Sequence, residues 1–182
     1  VKLWAEVLKE VDGSRMTLLM QHGRVRQRIL GLFAESGVAS ERISFVETQP
    51  RIPYMKEYHK IDIVLDTLPY NGHTTSLDAY WMGVPVVTLV GQTVVGRAGL
   101  SMLRNLGLTD LIANTRKEFL RIAAELSHDL VRLNAIRQGL RQRMQRSPLM
   151  DFPRFARNIE GAYCWMWEQW CERNVPAGGA RS

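Results

Sequence analysis

Short apolar runs of strand length alternate with helix-patterned stretches along the first two-thirds of this chain, and that alternation restricts the folds open to it. MTLLM (16–20), RISFVE (42–47), IDIVLD (61–66) and Pro85–Val90 each have the length of a strand. Between them lie stretches with apolar residues at helical spacing: VKLWAEVLKEV, GRVRQRILGLFAESG, a short one around Tyr54–His59 after a loop bracketed by Pro50 and Pro53, and TTSLDAYWMG. RAGLSMLRNLG (97–107) and residues 115–146 continue the helical pattern, with Ser147-Pro148 as a break. Gly37, Gly83 and Gly107 stand where those helices should stop. IDIVLD does not alternate apolar with polar residues, which fits a strand covered on both faces. Strand–helix alternation with short connections predicts an α/β fold: an open, Rossmann-like parallel sheet with helices on both faces.

The size, 182 residues with 46% hydrophobic content, suits one domain or one lobe of a larger enzyme. We expect a nucleotide-binding unit over 1–150, an aromatic helix over 151–174 and a flexible tail at 175–182. The chain opens on Val1, not methionine, which predicts a piece of something longer. No stretch has the length and apolarity of a membrane span. Cys164 and Cys171 form no metal-ligand pattern, and a reducing cytoplasm is the expected setting. The net charge of +6 is local: seven arginines and one acid, Asp151, lie between Arg132 and Arg157, and the remainder is neutral. With no nucleic-acid motif beside it, the strip reads as a solvated helix face and nucleic acid is not an expected partner. Phe152, Phe155, Ile159, Tyr163, Trp167 and Trp170 make a wide aromatic stripe. Such a stripe covers a core or meets a partner surface, and the pattern does not choose between them.

GHTTSLD (72–78) is the stretch with the most chemistry. It lies just beyond the third strand, and ligands of open α/β sheets sit beyond the carboxyl ends of the strands. Gly72 admits close approach of a ligand to the backbone. With Thr74 or Thr75 as N-cap, the unpaired amides of the first helical turn attract an anion, phosphate above all. Asp78, one turn deeper than Thr74, is placed to accept from a ribose whose phosphates occupy the helix start. His73 would donate to a phosphate or simply fill the turn. The competing reading is plain punctuation, in which Thr75-x-x-Asp78 is an imperfect capping box. Asp66 reads as a turn residue, and His59 as a surface residue.

The stretch IDIVLDTLPYNGHTTSLDAYWMGVPVVTLVGQTVVGRAGLSMLRNLGLTDLIA resembles the carboxyl-terminal catalytic lobe of the O-GlcNAc transferase and SPINDLY-like peptide glycosyltransferases. DTLPYNGHTTSLD with GVPVVTL is the most specific part, and the likeness runs from Trp4 to about Trp170. The resemblance implies a GT-B enzyme of two Rossmann-like lobes, this one holding the nucleotide sugar. It implies inverting transfer of a sugar to Ser or Thr of an acceptor protein, with no metal or other cofactor. The implied donor is UDP-GlcNAc or another UDP or GDP sugar. His73, Thr74 and Thr75 match diphosphate contacts, and Asp78 matches the ribose-binding acid. Gln49 and Arg51 fall in the loop that meets base and ribose, Arg51 where animal enzymes carry lysine, and Tyr70 near the sugar's N-acetyl group. His73 is the candidate for stabilising the leaving group. Tyr54 and Glu57 depart from the family, which has histidine and arginine there, and both departures bear on the base. The resemblance further implies partners: a second catalytic lobe and tetratricopeptide repeats, in the style of bacterial relatives. Two other readings are a sugar-nucleotide epimerase of the same architecture and a non-catalytic nucleotide-binding module.

Overall fold

The computed structural model describes residues 1–174; the tail expected at 175–182 lies outside them. Helix α1 (Lys2–Glu10) leads to strand β1 (Met16–Leu19), helix α2 (Arg24–Glu35) and strand β2 (Ile43–Val46). Helix α3 (Arg51–Glu57) precedes β3 (Val64–Asp66), α4 (Thr74–Trp81) and β4 (Val86–Leu89). Then come α5 (Ala98–Leu106), β5 (Ile112–Ala113), α6 (Arg116–His128), α7 (Leu130–Gln145) and α8 (Phe152–Asn174). The α/β fold with parallel pairing is as the sequence pattern predicts.

Three details differ from expectation. Pro53 does not bracket a loop but sits in the first turn of α3, where a missing N–H costs nothing. β3 starts at Val64, not Ile61, and β5 has only two residues, too few to leave a periodic signal. The ladders also form two sheets: β1 pairs with β2, and β3-β4-β5 form the other. All pairs are parallel.

Each sheet has its own core. Tyr80, Leu103, Leu111, Phe119 and Leu126 are sealed around β4, whose four residues are all buried. Ala5, Leu8, Phe33, Val38 and Ile43 pack beside β1 and β2. Gly83 stops α4 at φ 76°, and a Cβ there would stand 2.8 Å from the Arg137 carbonyl, so glycine is required twice over.

The arginine-rich strip is not an idle solvated face. Arg137 donates to the Ile61 carbonyl at 2.7 Å, Arg141 to that of Trp81 at 2.6 Å and Arg143 to that of Leu106 at 3.2 Å. The last two satisfy carbonyls left open at the ends of α4 and α5. Arg132 pairs with Asp110. The local positive charge thus belongs largely to the clamp that α7 makes on its neighbours. Helix α8 buries none of its residues. Phe155, Tyr163 and Trp167 are about two-thirds exposed, at 65%, 64% and 64%, and the stripe does not cover this unit's core. No helix among the described residues is long and apolar enough to cross a membrane.

Candidate functional site

The loop between β3 and α4 is built on Asp66. Register pairs Asp66 with Thr88 of β4, so both side chains share one face of the sheet. Thr88 Oγ1 donates to Asp66 Oδ2 at 2.7 Å, and the Gly72 amide donates to Asp66 Oδ1 at 2.7 Å. Asp66 is therefore no mere turn residue: it is buried and pins the start of the glycine loop to the sheet. Burial pushes its carboxyl above the usual aspartate range, against the opposing pull of the Gly72 amide and the Thr88 hydroxyl. Gly99, near the start of α5, completes the nest, since a Cβ there would lie 2.1 Å from Thr88 Oγ1 and 2.7 Å from Asp66 Oδ2. Asn71 is fully buried, its amide donating to the Val95 carbonyl at 3.1 Å and its Nδ2 to the Leu89 carbonyl at 3.3 Å. The Leu68–Pro69 peptide is cis.

With Asn71 and Gly72 held, α4 begins at Thr74. The N-cap is His73, not Thr74 or Thr75, and its side chain caps nothing. The amides of Thr74, Thr75 and Ser76 have no acceptor among the described residues; the first bond of the turn is Leu77 N–H to the His73 carbonyl, 3.0 Å. The same chain shows what a capping box looks like elsewhere. At α6 the Thr115 hydroxyl accepts from the Glu118 amide at 3.1 Å, while Glu118 accepts from the Thr115 amide at 3.3 Å. Nothing equivalent exists at α4, so punctuation does not account for GHTTSLD. Gly72 supplies room: a Cβ would stand 2.4 Å from Ser76 Oγ and 3.0 Å from Thr75 Oγ1. A cleft of about 540 Å³ lies over this turn, lined by Tyr70 through Thr75. Ser76 Oγ and Asn71 Oδ1 are buried beside it without a protein partner among the described residues. Three open amides and a positive helix end suit an anion.

Asp78 faces the other way from a capping role. Arg51, first residue of α3, grips it with both guanidinium arms, Nη1 to Oδ2 at 2.7 Å and Nη2 to Oδ1 at 2.6 Å. The bonds to Asp78 raise the Arg51 pKa. Tyr58 ties α3 to the start of α4 by donating to the Thr75 carbonyl at 3.0 Å, and Tyr54 in turn donates to Tyr58 at 2.6 Å. Burial raises both phenols, Tyr58 most, so both are neutral donors. Arg51 also lies over the Tyr54 ring, 5.8 Å from its centre. Tyr70 is 65% exposed and meets His73 edge to face at 5.0 Å. Gln49 is half-buried beside Glu57, whose carboxyl is held low first by Lys60 and also by Gln49. His59 is exposed, as expected.

The structure thus brings Tyr70, Gly72, His73, Thr74 and Thr75 around one cleft, with Arg51 and Asp78 paired beside it. Gln49 stands with Glu57 instead. Sequence reasoning missed Thr88, Ser76 and Gly99. Only Asp66, an acid ending an apolar run, hinted at the buried cluster.

Known proteins share this arrangement of chain. The family model described as Glycosyl transferase family 41 matches residues 1–159. A probable UDP-N-acetylglucosamine–peptide N-acetylglucosaminyltransferase SPINDLY of Solanum lycopersicum is 36% identical over 97% of this chain. The probable SEC enzyme of Arabidopsis thaliana is 30% identical over the same share. The chain spans about a fifth of these relatives, 19% and 18% of their lengths. A solved structure of a mutant O-GlcNAc transferase from Thermobaculum terrenum superimposes with a TM-score of 0.89 at 38% identity. That match covers 96% of this chain and 34% of the other.

Proposed function

The chain belongs to glycosyl transferase family 41, and from that premise we propose that it is the donor-holding lobe of an inverting protein O-glycosyltransferase. The observation that carries this reading is the uncapped start of α4: three open amides beneath a glycine, with an arginine-held carboxylate one turn deeper. A nucleoside diphosphate has charges and hydroxyls at that spacing. Its phosphates lie on the amides of Thr74, Thr75 and Ser76, with His73 and the threonine hydroxyls as further donors. Arg51 occupies one lone pair on each Asp78 oxygen, and a carboxylate accepts about four bonds, so ribose hydroxyls bind Asp78 without displacing Arg51. The donor is UDP-N-acetylglucosamine, in keeping with the names of the curated relatives.

A Ser or Thr hydroxyl of an acceptor protein attacks the anomeric carbon from the face opposite the diphosphate. The bond to the nucleotide breaks as the new glycosidic bond forms, inverting the centre, and the hydroxyl proton passes to a base. Negative charge grows on the leaving diphosphate, and donors already aimed at it stabilise the transition state. Residues 1–150 form the nucleotide-sugar lobe. Residues 151–174 present an aromatic helix to the second lobe, across a cleft that also admits the acceptor.

Calorimetry of UDP binding to the full-length protein tests this. Asp78→Asn keeps the shape but weakens the ribose contacts and the Arg51 grip, for a loss of about 1.5–3 kcal/mol, or roughly 10- to 150-fold. Thr74→Val removes one hydroxyl donor and loses on the order of tenfold. Unchanged UDP affinity in both variants would exclude the site.

A further inference from the structure

Helix α3 turns one face to α4. Arg51, Tyr54 and Tyr58 follow one another at spacings of three and four residues, which stacks them along one side of the helix. Arg51, at the start of α3, grips Asp78, while Tyr58, just past its end, reaches back to Thr75. The two helices therefore run past each other in opposite senses, and the end of α3 lies against the first turn of α4.

Hydrogen-bond chemistry fixes the direction of the chain of hydroxyls at that end. A carbonyl oxygen only accepts, so the Tyr58 hydroxyl spends its single proton on Thr75, at 3.0 Å. The 2.6 Å contact between the two phenols then has Tyr54 as donor and the Tyr58 oxygen as acceptor. Bonds in such a chain polarise one another, each gaining about 10–30%. Burial raises the Tyr58 pKa, so the phenol keeps the proton that it donates. Its ring belongs to the core around β4 and meets Tyr54 edge to face at 5.4 Å, so packing holds the hydroxyl in place. Thr75 is where this chain meets the anion cleft. The threonine is exposed and lines the cleft, and Tyr58 holds its carbonyl from outside the lining. That carbonyl shares one planar peptide with the Ser76 amide, and the C=O and N–H of a trans peptide point opposite ways. Fixing the oxygen fixes the aim of the Ser76 N–H, and a donor on the oxygen strengthens that N–H in turn. The carbonyl has two lone pairs, and the ladder of α4 needs only one of them. Tyr58 is therefore not there to rescue a stranded acceptor.

We propose that Tyr58 is a positioning residue for the nucleotide's diphosphate: through the Thr75 carbonyl it holds the first turn of α4 so that Thr75 and the Ser76 amide are already aimed at the phosphates. Tyr54 supports it one bond further back. The assignment rests on the donor-lobe reading and adds to it a residue that does not itself line the cleft. Donors fixed before the charge arrives need no reorganisation to meet it, so a hydroxyl behind the site bears on the diphosphate and not on the nucleoside.

Tyr58→Phe in the full-length protein removes the hydroxyl and keeps the ring. Affinities for UDP and for uridine, measured by NMR titration, separate the two arms of the nucleotide. UDP binding is expected to weaken about three- to tenfold, the worth of one hydrogen bond, with uridine binding unchanged. Tyr54→Phe withdraws only the second link, and the UDP-to-uridine ratio is expected to fall about twofold. In the Tyr58→Phe protein the same change should lower that ratio no further, because the two hydroxyls act as one chain. Equal weakening of UDP and uridine in Tyr58→Phe means that the tyrosine acts by packing alone, and overturns the proposal. So does an unchanged UDP affinity, and so does an additive loss in the double variant. Should Tyr58→Phe not fold, Tyr54→Phe decides: an unaltered UDP-to-uridine ratio refutes the chain. A wild type that binds UDP no better than uridine brings down the donor-lobe reading as well. A wild type that prefers UDP, with Asp78→Asn losing affinity while Tyr58→Phe does not, brings down this assignment alone.

Discussion

Replacing Asp66 by alanine and by asparagine separates its roles as acceptor and as charge. The carboxylate receives two donors, the half-buried Gly72 amide and the buried Thr88 hydroxyl, each at 2.7 Å. Alanine orphans both. Each unsatisfied buried donor costs about 1–3 kcal/mol, so Asp66→Ala should lose about 2–6 kcal/mol of stability. That is a large part of the roughly 5–15 kcal/mol available to a domain. At this chain length it corresponds to a fall of about 4–24 °C in Tm. Asparagine keeps an oxygen for the Gly72 amide and turns its NH2 to the Thr88 oxygen, so Asp66→Asn should stay within about 1 kcal/mol of the wild type. Thermal and urea unfolding, followed by tryptophan fluorescence, measure both. The pH dependence supplies a sign. Burial raises the Asp66 pKa in the folded state, so between the ordinary aspartate value and the raised one the native state binds more protons than the unfolded chain. Stability contributed by this group is present below the ordinary value and is lost as pH rises through the folded value. The wild type should therefore lose ground to Asp66→Asn across that window, with a constant difference between the two below it and another, less favourable to the wild type, above it. A wild type that gains on the asparagine variant with rising pH, or an alanine variant as stable as the asparagine one, would refute this account of the loop.

Two more substitutions bear on the same cluster and its neighbour. Gly99→Ala forces a methyl to within 2.1 Å of Thr88 Oγ1 and 2.7 Å of Asp66 Oδ2; overpacking of this kind costs about 1–3 kcal/mol. By contrast Gly31→Ala, mid-helix with open space around it, should stabilise by about 0.5–1 kcal/mol. Denaturant midpoints check both. Arg51→Lys replaces a two-armed grip on Asp78 by a single point charge. Because the arginine side chain is 65% exposed, stability should change by less than about 1 kcal/mol, while UDP affinity falls several-fold by calorimetry.

The elements most legible in the sequence are those whose signal is local. Gly37, Gly83 and Gly107 close helices with φ of 77°, 76° and 65°, and the apolar runs at Met16, Ile43, Val64 and Val86 all become strands. β5 was illegible because two residues have no period; it exists through its pairing with β4. Asp66 looked like a turn residue because its partner Thr88 lies 22 residues on, brought alongside only by parallel pairing. For the same reason the capping box suggested at Thr75 and Asp78 fails: a partner 27 residues upstream, Arg51, claims the carboxylate. The glycine loop was readable as an anion site because backbone amides and a missing Cβ are properties of the segment itself. What surrounds it depends on register and on which helix arrives, and neither is written in GHTTSLD.

Two aspartates stand close to a turn that we assign to a phosphate, and the electrostatics must permit that. Like charges near a pyrophosphate would repel it by several kcal/mol at protein dielectric. Each carboxylate is handled separately. Asp66 lies beneath the loop, where burial favours its neutral form and its two acceptor bonds are spent on Gly72 and Thr88. Asp78 lies a turn deeper and is matched by a full positive charge at 2.6 Å. What the cleft presents outward is therefore neither acid, but the open amides of Thr74, Thr75 and Ser76 and the positive end of α4. Removing Arg51's charge altogether would expose Asp78 as a bare anion. The arginine thus does double duty, screening the acid from the diphosphate and fixing its oxygens for the ribose.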